Sequence, residues 1–252
     1  MPAVRANFGD LLTPGFRKIY FDAYDEVPSM MEQIFTVNSS SKDSERDSSV
    51  TGFGYPTATP ELGNVDYEDP VQGFDVTYTP TKYTKGFKVS REMVEDDLYN
   101  IINKIPGRLG KAFARWRERS AAQVFNRAFN SSYLGGDSEE LCSTSHDRSD
   151  PTTGGVQSNA SATGVTLTEA NLETGINAMR GQLDDKGMRI DVYPNFLLVA
   201  MELAKEAYEI IESPFRSGTA DNDANFYKGK LQVKDWIYMD RNATHWFLID
   251  KS

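Results

Sequence analysis

Cysteine, histidine and long apolar runs are all scarce in this chain of 252 residues. The single cysteine, Cys142, excludes an internal disulfide and fits a reducing compartment. Two histidines leave little for a transition-metal site. No apolar run is long enough for a bilayer-spanning helix, and the first residues lack the apolar core of a signal peptide. We therefore expect neither a membrane partner nor a metal centre.

Positive charge is also in deficit, because 27 Lys and Arg residues stand against 37 Asp and Glu residues, for a net charge of -10. Sequence-independent binding to nucleic acid needs excess positive charge, so a general nucleic-acid binder is disfavoured. What the chain has in quantity is core-forming material, with 39% hydrophobic and 12% aromatic residues. That composition supports one large domain or two small ones.

Recognised cofactor motifs are missing from the sequence. No P-loop occurs, and "TGFGYPT" lacks the third glycine of a dinucleotide fingerprint. "DNDANF" begins like a calcium loop, but Phe226 and Gln232 stand where such a loop requires Gly and Glu. Cys142 and His146 could form a nucleophile and base, although no acid can be assigned to orient the histidine. We expect no cofactor, no metal and no catalytic residue, and a Cys/His hydrolase stays as a remote alternative.

Residues 74–89, "FDVTYTPTKYTKGFKV", alternate apolar and polar side chains in two sets whose phase changes near Pro80. The pattern predicts one long strand of roughly 50 Å, at about 3.3 Å per residue, with an irregularity at the proline. A compact chain of this length has a radius of gyration of roughly 18 Å, so the strand is expected to project from the body. The preceding residues 37–73 are rich in Ser, Gly and Pro and are expected to form a loop.

Directly after this strand, "SREMVEDDLYN" predicts the start of a helix. Ser90 is a suitable N-cap, and Glu95 and Asp96 fall in the first turns, where the helix dipole favours negative charge. We interpret these acids as helix-start electrostatics rather than as a carboxylate site. Apolar residues then recur at helical spacing as far as Phe129, which predicts a helix over about 91–130 that Pro106 kinks or splits.

Four basic residues, Arg108, Lys111, Arg115 and Arg119, follow one another on this helix at spacings of 3, 4 and 4. At 3.6 residues per turn they lie within about 80° of one another. Most such runs are solvated polar faces. The functional alternative is a shallow electrostatic contact with phosphate or with an acidic partner.

The C-terminal half alternates helices and strands, which indicates mixed α and β structure. Thr168 predicts the N-cap of a helix that ends at Gly187. Strand, turn, strand and helix are expected over 188–213, and "LQVKDWIYMD" and "HWFLID" predict two strands around the turn "RNAT". The polar residues 131–164 form a long connection before this half.

Taken together, these stretches resemble the major capsid protein of tailed bacteriophages, with the Hong Kong ninety-seven type fold, and especially its Mu-like head-subunit branch. "QGFDVTYTPTKYTKGFKVSREMVEDDLYN" is similar to the return arm of the family's E-loop and the start of its spine helix. "LCSTSHDRSDPTTGGVQSNASATGVTLTEANLETGINAMR" resembles the segment that leads out of the spine region. "YPNFLLVAMELAKEAYEIIESPFRSGTADNDANF" resembles the axial domain with its polar loop.

The resemblance implies an α+β phage capsid fold in four parts. These are an N-arm over 1–36, an E-loop hairpin with its return strand over 37–89, a peripheral domain with the spine helix over 90–165, and a mixed axial domain over 166–252. "HWFLIDKS" stops where family members usually continue through further strands. We therefore expect either a shortened C-terminus or a sheet that closes differently.

The resemblance also implies a structural protein whose pentamers and hexamers tile an icosahedral shell around packaged double-stranded DNA. The shell would assemble in the bacterial host cytoplasm and become the virion capsid. Implied partners are further copies of the chain, a scaffold or protease, a portal, decoration proteins and weakly held DNA. The face of Arg108, Lys111, Arg115 and Arg119 would point to the shell interior, towards DNA or scaffold. An encapsulin-like nanocompartment shell is the alternative.

Overall fold

The structure, a computed structural model, describes residues 9–90, 92, 101–150, 155–216, 223–240, 242 and 244–251. The chain divides into two units, each built from two separate stretches of sequence. The first combines Met1–Ser39 with Pro80–Ala122, and the second combines Ser40–Thr79 with Gln123–Ser252. The predicted E-loop range of 37–89 is therefore divided between the two units. The N-arm, E-loop, peripheral and axial assignments therefore stay predictions.

Three helices are described in or entering the first unit. They are α1 (Gly9–Asp25), α2 (Met31–Ile34) and α3 (Lys104–Asn126). The residues of α3 from Gln123 onwards belong to the second unit. The helix predicted over about 91–130 is thus observed as Lys104–Asn126, while residues 91 and 93–100, with Glu95 and Asp96, lie outside the described residues. Residue 92 is helical, residues 101–103 are not, and α3 begins at Lys104, so the predicted helix is interrupted just before Pro106. Pro106 lies in the first turn of α3, where its missing N–H would have had no partner within the helix.

Helix α1 packs against α3 at two glycines of α3. A Cβ atom at Gly110 would overlap the backbone carbonyl oxygen of Tyr20 and lie 3.2 Å from the backbone nitrogen of Tyr24. A Cβ atom at Gly107 would instead lie 3.6 Å from side-chain atoms of Ala23 and Ile19, which is ordinary van der Waals contact. Only hydrogen at position 110 therefore allows this close approach of the two backbones.

The segment after α1 is held to α3 by a buried carboxylate. Glu118 is 3% exposed and accepts hydrogen bonds from the backbone N–H of Met30 at 3.1 Å and of Met31 at 3.2 Å. The hydroxyl of Ser29 donates to it at 2.8 Å. These donors satisfy the buried charge and cap the start of α2. The described part of the predicted N-arm thus packs on its own chain, and its reach to another subunit stays a prediction.

A β-hairpin opens the second unit. Strand β1 (Glu45–Val50) pairs antiparallel with β2 (Gln72–Tyr78), with an irregular register between Ser48 and Val50. The residue pattern alone did not predict β1, because its side chains are polar and its partner lies far along the chain, whereas the resemblance implied a hairpin over 37–89. The prediction of one strand over 74–89 is wrong beyond Tyr78, because the proline at position 80 has no N–H to offer a ladder.

A mixed three-stranded sheet forms the centre of the second unit. Strand β5 (Phe196–Val199) lies between β6 (Gln232–Asp235), which is parallel to it, and β7 (Trp246–Ile249), which is antiparallel. The two predicted C-terminal strands are confirmed, but they flank β5 instead of pairing with each other. A short pair, β3 (His146–Asp147) and β4 (Val156–Gln157), lies in the long polar connection.

Helices complete this core. They are α4 (Glu169–Arg180), the 3-10 turn Met201–Leu203 and α5 (Ala204–Ile211). The sheet and helices bury an apolar cluster consisting of Leu167, Leu172, Leu197, Val199, Leu203, Ala207, Ile211, Tyr227 and Leu231. The strand predicted immediately after residue 188 is not observed, since residues 190–195 are in irregular structure. The chain that follows residue 188 thus joins the core only at β5.

The N-cap prediction for α4 is confirmed, and its predicted end is wrong. The Thr168 hydroxyl accepts a hydrogen bond from the Asn171 N–H at 3.2 Å, but the helix ends at Arg180. Gly187, with φ +78°, belongs to a later turn in which the Asp184 carboxylate accepts from the backbone N–H of Met188 at 2.7 Å. A glycine at a positive φ is equally suited to such a turn and to a helix end, so the sequence could not distinguish them.

The two glycines of α3 provide a matched test of the helix crossing. Gly110→Ala is expected to lower the free energy of unfolding by about 1–3 kcal/mol, because the new methyl group displaces α1. Gly107→Ala is the control and should be neutral or stabilise by up to about 1 kcal/mol, because Ala favours the helix and has room. Urea unfolding of both variants measures the difference. Equal stability of the two variants would contradict the crossing.

Candidate assembly surfaces

The loop over residues 51–71, between β1 and β2, exposes an unusual amount of apolar surface. Tyr55 is 72% exposed and Tyr67 is 88% exposed, and Leu62 is fully exposed at a positive φ of 67°. Phe53 and Val65 are exposed as well. Large apolar side chains exposed together on one loop favour a contact with another molecule. This loop is therefore the first candidate assembly surface.

Both limbs of this loop are fixed by one lysine. Lys186 Nζ lies 2.6 Å from Glu68 Oε1 and 2.5 Å from Asp150 Oδ2. The side chain of Asp150 has no exposed surface, and that of Lys186 is only 7% exposed. The other oxygen of Glu68 accepts a hydrogen bond from the Gly54 N–H at 2.7 Å. Residues 55–67, which we call the loop tip, are what remains beyond this anchor.

The anchor has a defined pH range. The hydrogen bond from Lys186, and then the one from Gly54, lower the pKa of Glu68 below its ordinary value. Hydrogen bonds to Asp150 and Glu68 raise the pKa of Lys186. The contribution of Glu68 is therefore present above its ordinary pKa and is lost as pH falls through the lowered value. The contribution of Lys186 is lost only as pH rises through its raised value, so the anchor is intact at neutral pH.

The second candidate surface is the basic face of α3. Arg108, Arg115 and Arg119 are exposed, and within the described part of the chain none of them has an acidic partner. Lys111 differs from them, because its Nζ lies 2.8 Å from Glu26 Oε2. The geometry brings the four predicted residues onto one side of α3, with one of them already neutralised. Whether this surface contacts DNA or scaffold stays a prediction.

An aromatic pair beside the basic face was missed by sequence reasoning. The ring centroids of Tyr83 and Trp116 are 4.2 Å apart, with the residues 56% and 40% exposed. At 100° per residue, Trp116 lies within about 60° of Arg119 around the helix. By sequence, Trp116 falls among the apolar residues that recur as far as Phe129, and Tyr83 falls within residues 74–89. The spacing of three residues between Trp116 and Arg119 was the available signal that Trp116 borders a charged surface.

The geometry does not favour a Cys/His nucleophile pair. Burial, and then the nearby Glu140, raise the pKa of the Cys142 thiol to about 11, which disfavours the thiolate. His146 Nδ1 lies 2.5 Å from Asp137 Oδ2, so the acid that sequence reasoning could not assign is Asp137. Between the described side chains of Cys142 and His146 the structure has no hydrogen bond. The histidine holds a loop in place and does not activate the thiol.

Among the described residues, no cluster of His, Cys, Asp and Glu has a geometry that could hold a metal ion. No helix in the same part of the chain combines the length and the apolar character that crossing a membrane requires.

The sequence profile of a family described as phage capsid protein matches residues 73–252. The matched range includes most of β2, all of α3 and the whole core of the second unit. The chain belongs to this phage capsid protein family. A comparison with curated protein sequences gives no match.

Three solved structures of similar fold come from bacteriophage JBD30. Its procapsid subunit is 18% identical at a TM-score of 0.69, covering 94% of this chain and 100% of that one. Its capsid subunit is 19% identical at 0.68, covering 87% and 93%. A capsid decorated with minor capsid protein trimers gives 17% identity at 0.66, covering 85% and 92%. The predicted α+β capsid fold is confirmed, and so is the resemblance to a tailed-phage major capsid protein.

The anchor can be tested at one backbone amide. In Lys186→Met we expect the Gly54 N–H to exchange with deuterium at least about tenfold faster at neutral pH, because Glu68 is no longer held in place. In the unaltered protein the same amide should lose protection, after correction for intrinsic exchange, only as pH falls through the lowered pKa of Glu68. Lys228→Met, at an exposed lysine of the same unit, is the control. Unchanged exchange in Lys186→Met would contradict the anchor.

Proposed function

We propose that this major capsid subunit forms pentamers and hexamers that close into an icosahedral shell around packaged double-stranded DNA. The match of the phage capsid profile over residues 73–252 carries the proposal. The similar folds from a procapsid and a capsid support it, because the chains of those structures are parts of a shell. The role is structural, and the raised pKa of the Cys142 thiol accords with that.

The loop tip is the proposed contact between subunits. Its exposed apolar side chains gain free energy when another surface covers them. The anchor at Gly54 and Glu68 fixes both ends of the loop tip. This lowers the conformational entropy that is lost when the loop tip binds another subunit. In the terms of the family, residues 37–89 act as the E-loop that lies over a neighbouring copy. Residues 1–36 act as the N-arm, 90–165 as the peripheral domain and 166–252 as the axial domain.

The basic face of α3 is the proposed contact with an anionic partner inside the shell, either DNA or scaffold. An overall charge of -10 keeps attraction to DNA weak, which allows DNA to slide during packaging. Assembly in the bacterial cytoplasm would involve a scaffold or protease and a portal. Decoration proteins are further proposed partners, since one JBD30 capsid is decorated with minor capsid protein trimers. No finding supports the encapsulin-like or hydrolase alternatives.

Shell formation can be tested directly. We expect closed shells, or rings of five and six subunits, in negative-stain electron microscopy of the purified full chain across a concentration series. Purified shells from infected cells should contain double-stranded DNA, whereas a nanocompartment shell would contain protein cargo. A chain that stays monomeric at high concentration, even with scaffold added, would contradict the proposal.

The basic face can be tested by charge reversal. Arg108→Glu with Arg115→Glu should leave the circular dichroism spectrum and the unfolding midpoint nearly unchanged, because both side chains are exposed. The yield of full particles should fall at least about tenfold, because an anionic partner is now repelled. Lys228→Glu, at an exposed lysine of the second unit, is the charge control. Normal yields of full particles from the double variant would refute a role for this face.

A further inference from the structure

The exposed side of α3 consists of two adjacent rows of side chains, each with a spacing of four residues. One row is entirely cationic, and the other carries one arginine followed by small and aromatic residues. The rows are Lys111, Arg115 and Arg119, and Arg108, Ala112, Trp116 and Ser120. All of them lie in the first unit, and all except the half-buried Lys111 are exposed. Two such rows with a groove between them are a surface against which a second helix can pack.

The aromatic part of this surface favours a protein partner over duplex DNA. Ala112 lies about one turn before Trp116 and is small, so it leaves space beside the exposed Tyr83–Trp116 ring pair. An apolar side chain that enters this space and covers the rings gains free energy from the burial of apolar surface. Duplex DNA makes no comparable contact, because its bases are stacked inside and its exterior consists of sugar and phosphate. Arginine and aromatic residues together are enriched at protein–protein contacts.

The arginines determine the charge of that partner. In the described part of the chain, Arg108, Arg115 and Arg119 have no acidic partner. Lys111 shows that the cationic row accepts a carboxylate, since its Nζ lies 2.8 Å from Glu26 Oε2. At physiological ionic strength, exposed charges more than roughly 8 Å away are largely screened, so these local cations outweigh the acidic remainder of the chain. The partner therefore carries carboxylates beside its apolar side chains.

We propose that the exposed side of α3 binds an acidic amphipathic helix of a second protein. The apolar side chains of that helix enter the groove beside Trp116, and its carboxylates pair with the three arginines. The inference rests on the proposed function, because it decides between the two anionic partners of the basic face in favour of scaffold. A contact of this size that is partly ionic is weakened by salt and is reversible. Such a contact suits a partner that binds the subunits only during assembly.

Competing probes test this inference on the full chain. The first probe is a synthetic helical peptide of about 20 residues, with Leu along one face and Glu beside it, which is long enough to span the exposed side of α3. The others are a peptide of the same composition in scrambled order, a DNA duplex of similar length and a single-stranded thymidine oligonucleotide. Fluorescence anisotropy at physiological salt gives each Kd. We expect the amphipathic peptide to bind at least about tenfold more tightly than each of the others, because it alone matches both rows.

Substitutions separate the apolar contact from the charges. Trp116→Ala should weaken binding of the amphipathic peptide at least about tenfold and leave binding of the duplex unchanged, because only the peptide uses the rings. Ala112→Gln should act in the same direction, because it fills the groove with a neutral side chain at an exposed helical position and removes no contact within the fold. Arg115→Glu with Arg119→Glu should weaken binding of both probes, because like charges then meet. Lys228→Glu, at an exposed lysine of the second unit, is the control and should change neither.

The yield of shells in infected cells tests the natural partner. Ala112→Gln should lower the yield of closed shells, empty and full together, at least about threefold, because a scaffold acts before DNA enters. Normal yields of closed shells from Ala112→Gln would overturn the inference, as would equal binding of the ordered and scrambled peptides.

Tighter binding of the duplex would also overturn it and would point to packaged DNA. Tighter binding of the oligonucleotide, lost in Trp116→Ala, would overturn it in favour of stacked bases. If the unaltered chain forms closed shells but does not bind the amphipathic peptide, this inference alone fails. Failure of the unaltered chain to form shells, scored separately by electron microscopy, would refute the proposed function itself.

Discussion

The placement of the long loop in the second unit depends on one nearly buried ammonium group, that of Lys186. Asp150 has no contact with solvent, so its carboxylate needs a positive partner where it lies, and Lys186 supplies it. The same ammonium holds Glu68, which in turn accepts from the backbone at Gly54. The ion pair that neutralises the buried Asp150 carboxylate therefore also fixes the position at which the loop over residues 51–71 leaves the second unit. The loop has few apolar contacts of its own that could replace this attachment.

Helix α3 makes two kinds of contact on neighbouring faces. Its inner face carries Gly110 and the buried Glu118, which accepts hydrogen bonds at the start of α2, so that a second helix and the following turn approach closely. Its outer face is cationic and borders an aromatic pair. The inner contacts leave the outer arginines without any structural duty in the described part of the chain. Those arginines are thus available to a partner at little cost to the fold.

Features set by neighbouring residues could be predicted from the sequence, whereas features set by distant partners could not. The cap at Thr168 and the strands β6 and β7 depend on local hydrogen bonds and on alternation, and each was predicted. Strand β1 did not follow from its own residues, because serine-rich segments become strands only when a partner such as β2 supplies the ladder. The burial of Lys186 was invisible for the same reason, since Asp150 and Glu68 come from other parts of the chain. The basic face could be predicted from spacing alone, but its aromatic border required Tyr83 to be brought to α3.

The number of residues in the loop tip limits how far the tip can extend from the anchor at Gly54 and Glu68. Residues 55–67 leave the body and return to it, so about six residues run each way, and at about 3.3 Å per residue the tip reaches no further than roughly 20 Å. In the proposed shell, copies in five-fold and six-fold positions would present their surfaces at different tilts. The loop tip would have to accommodate that difference, because both of its ends are fixed by the anchor. In that shell, the length of the loop tip would set an upper limit on the range of curvature that one sequence can build.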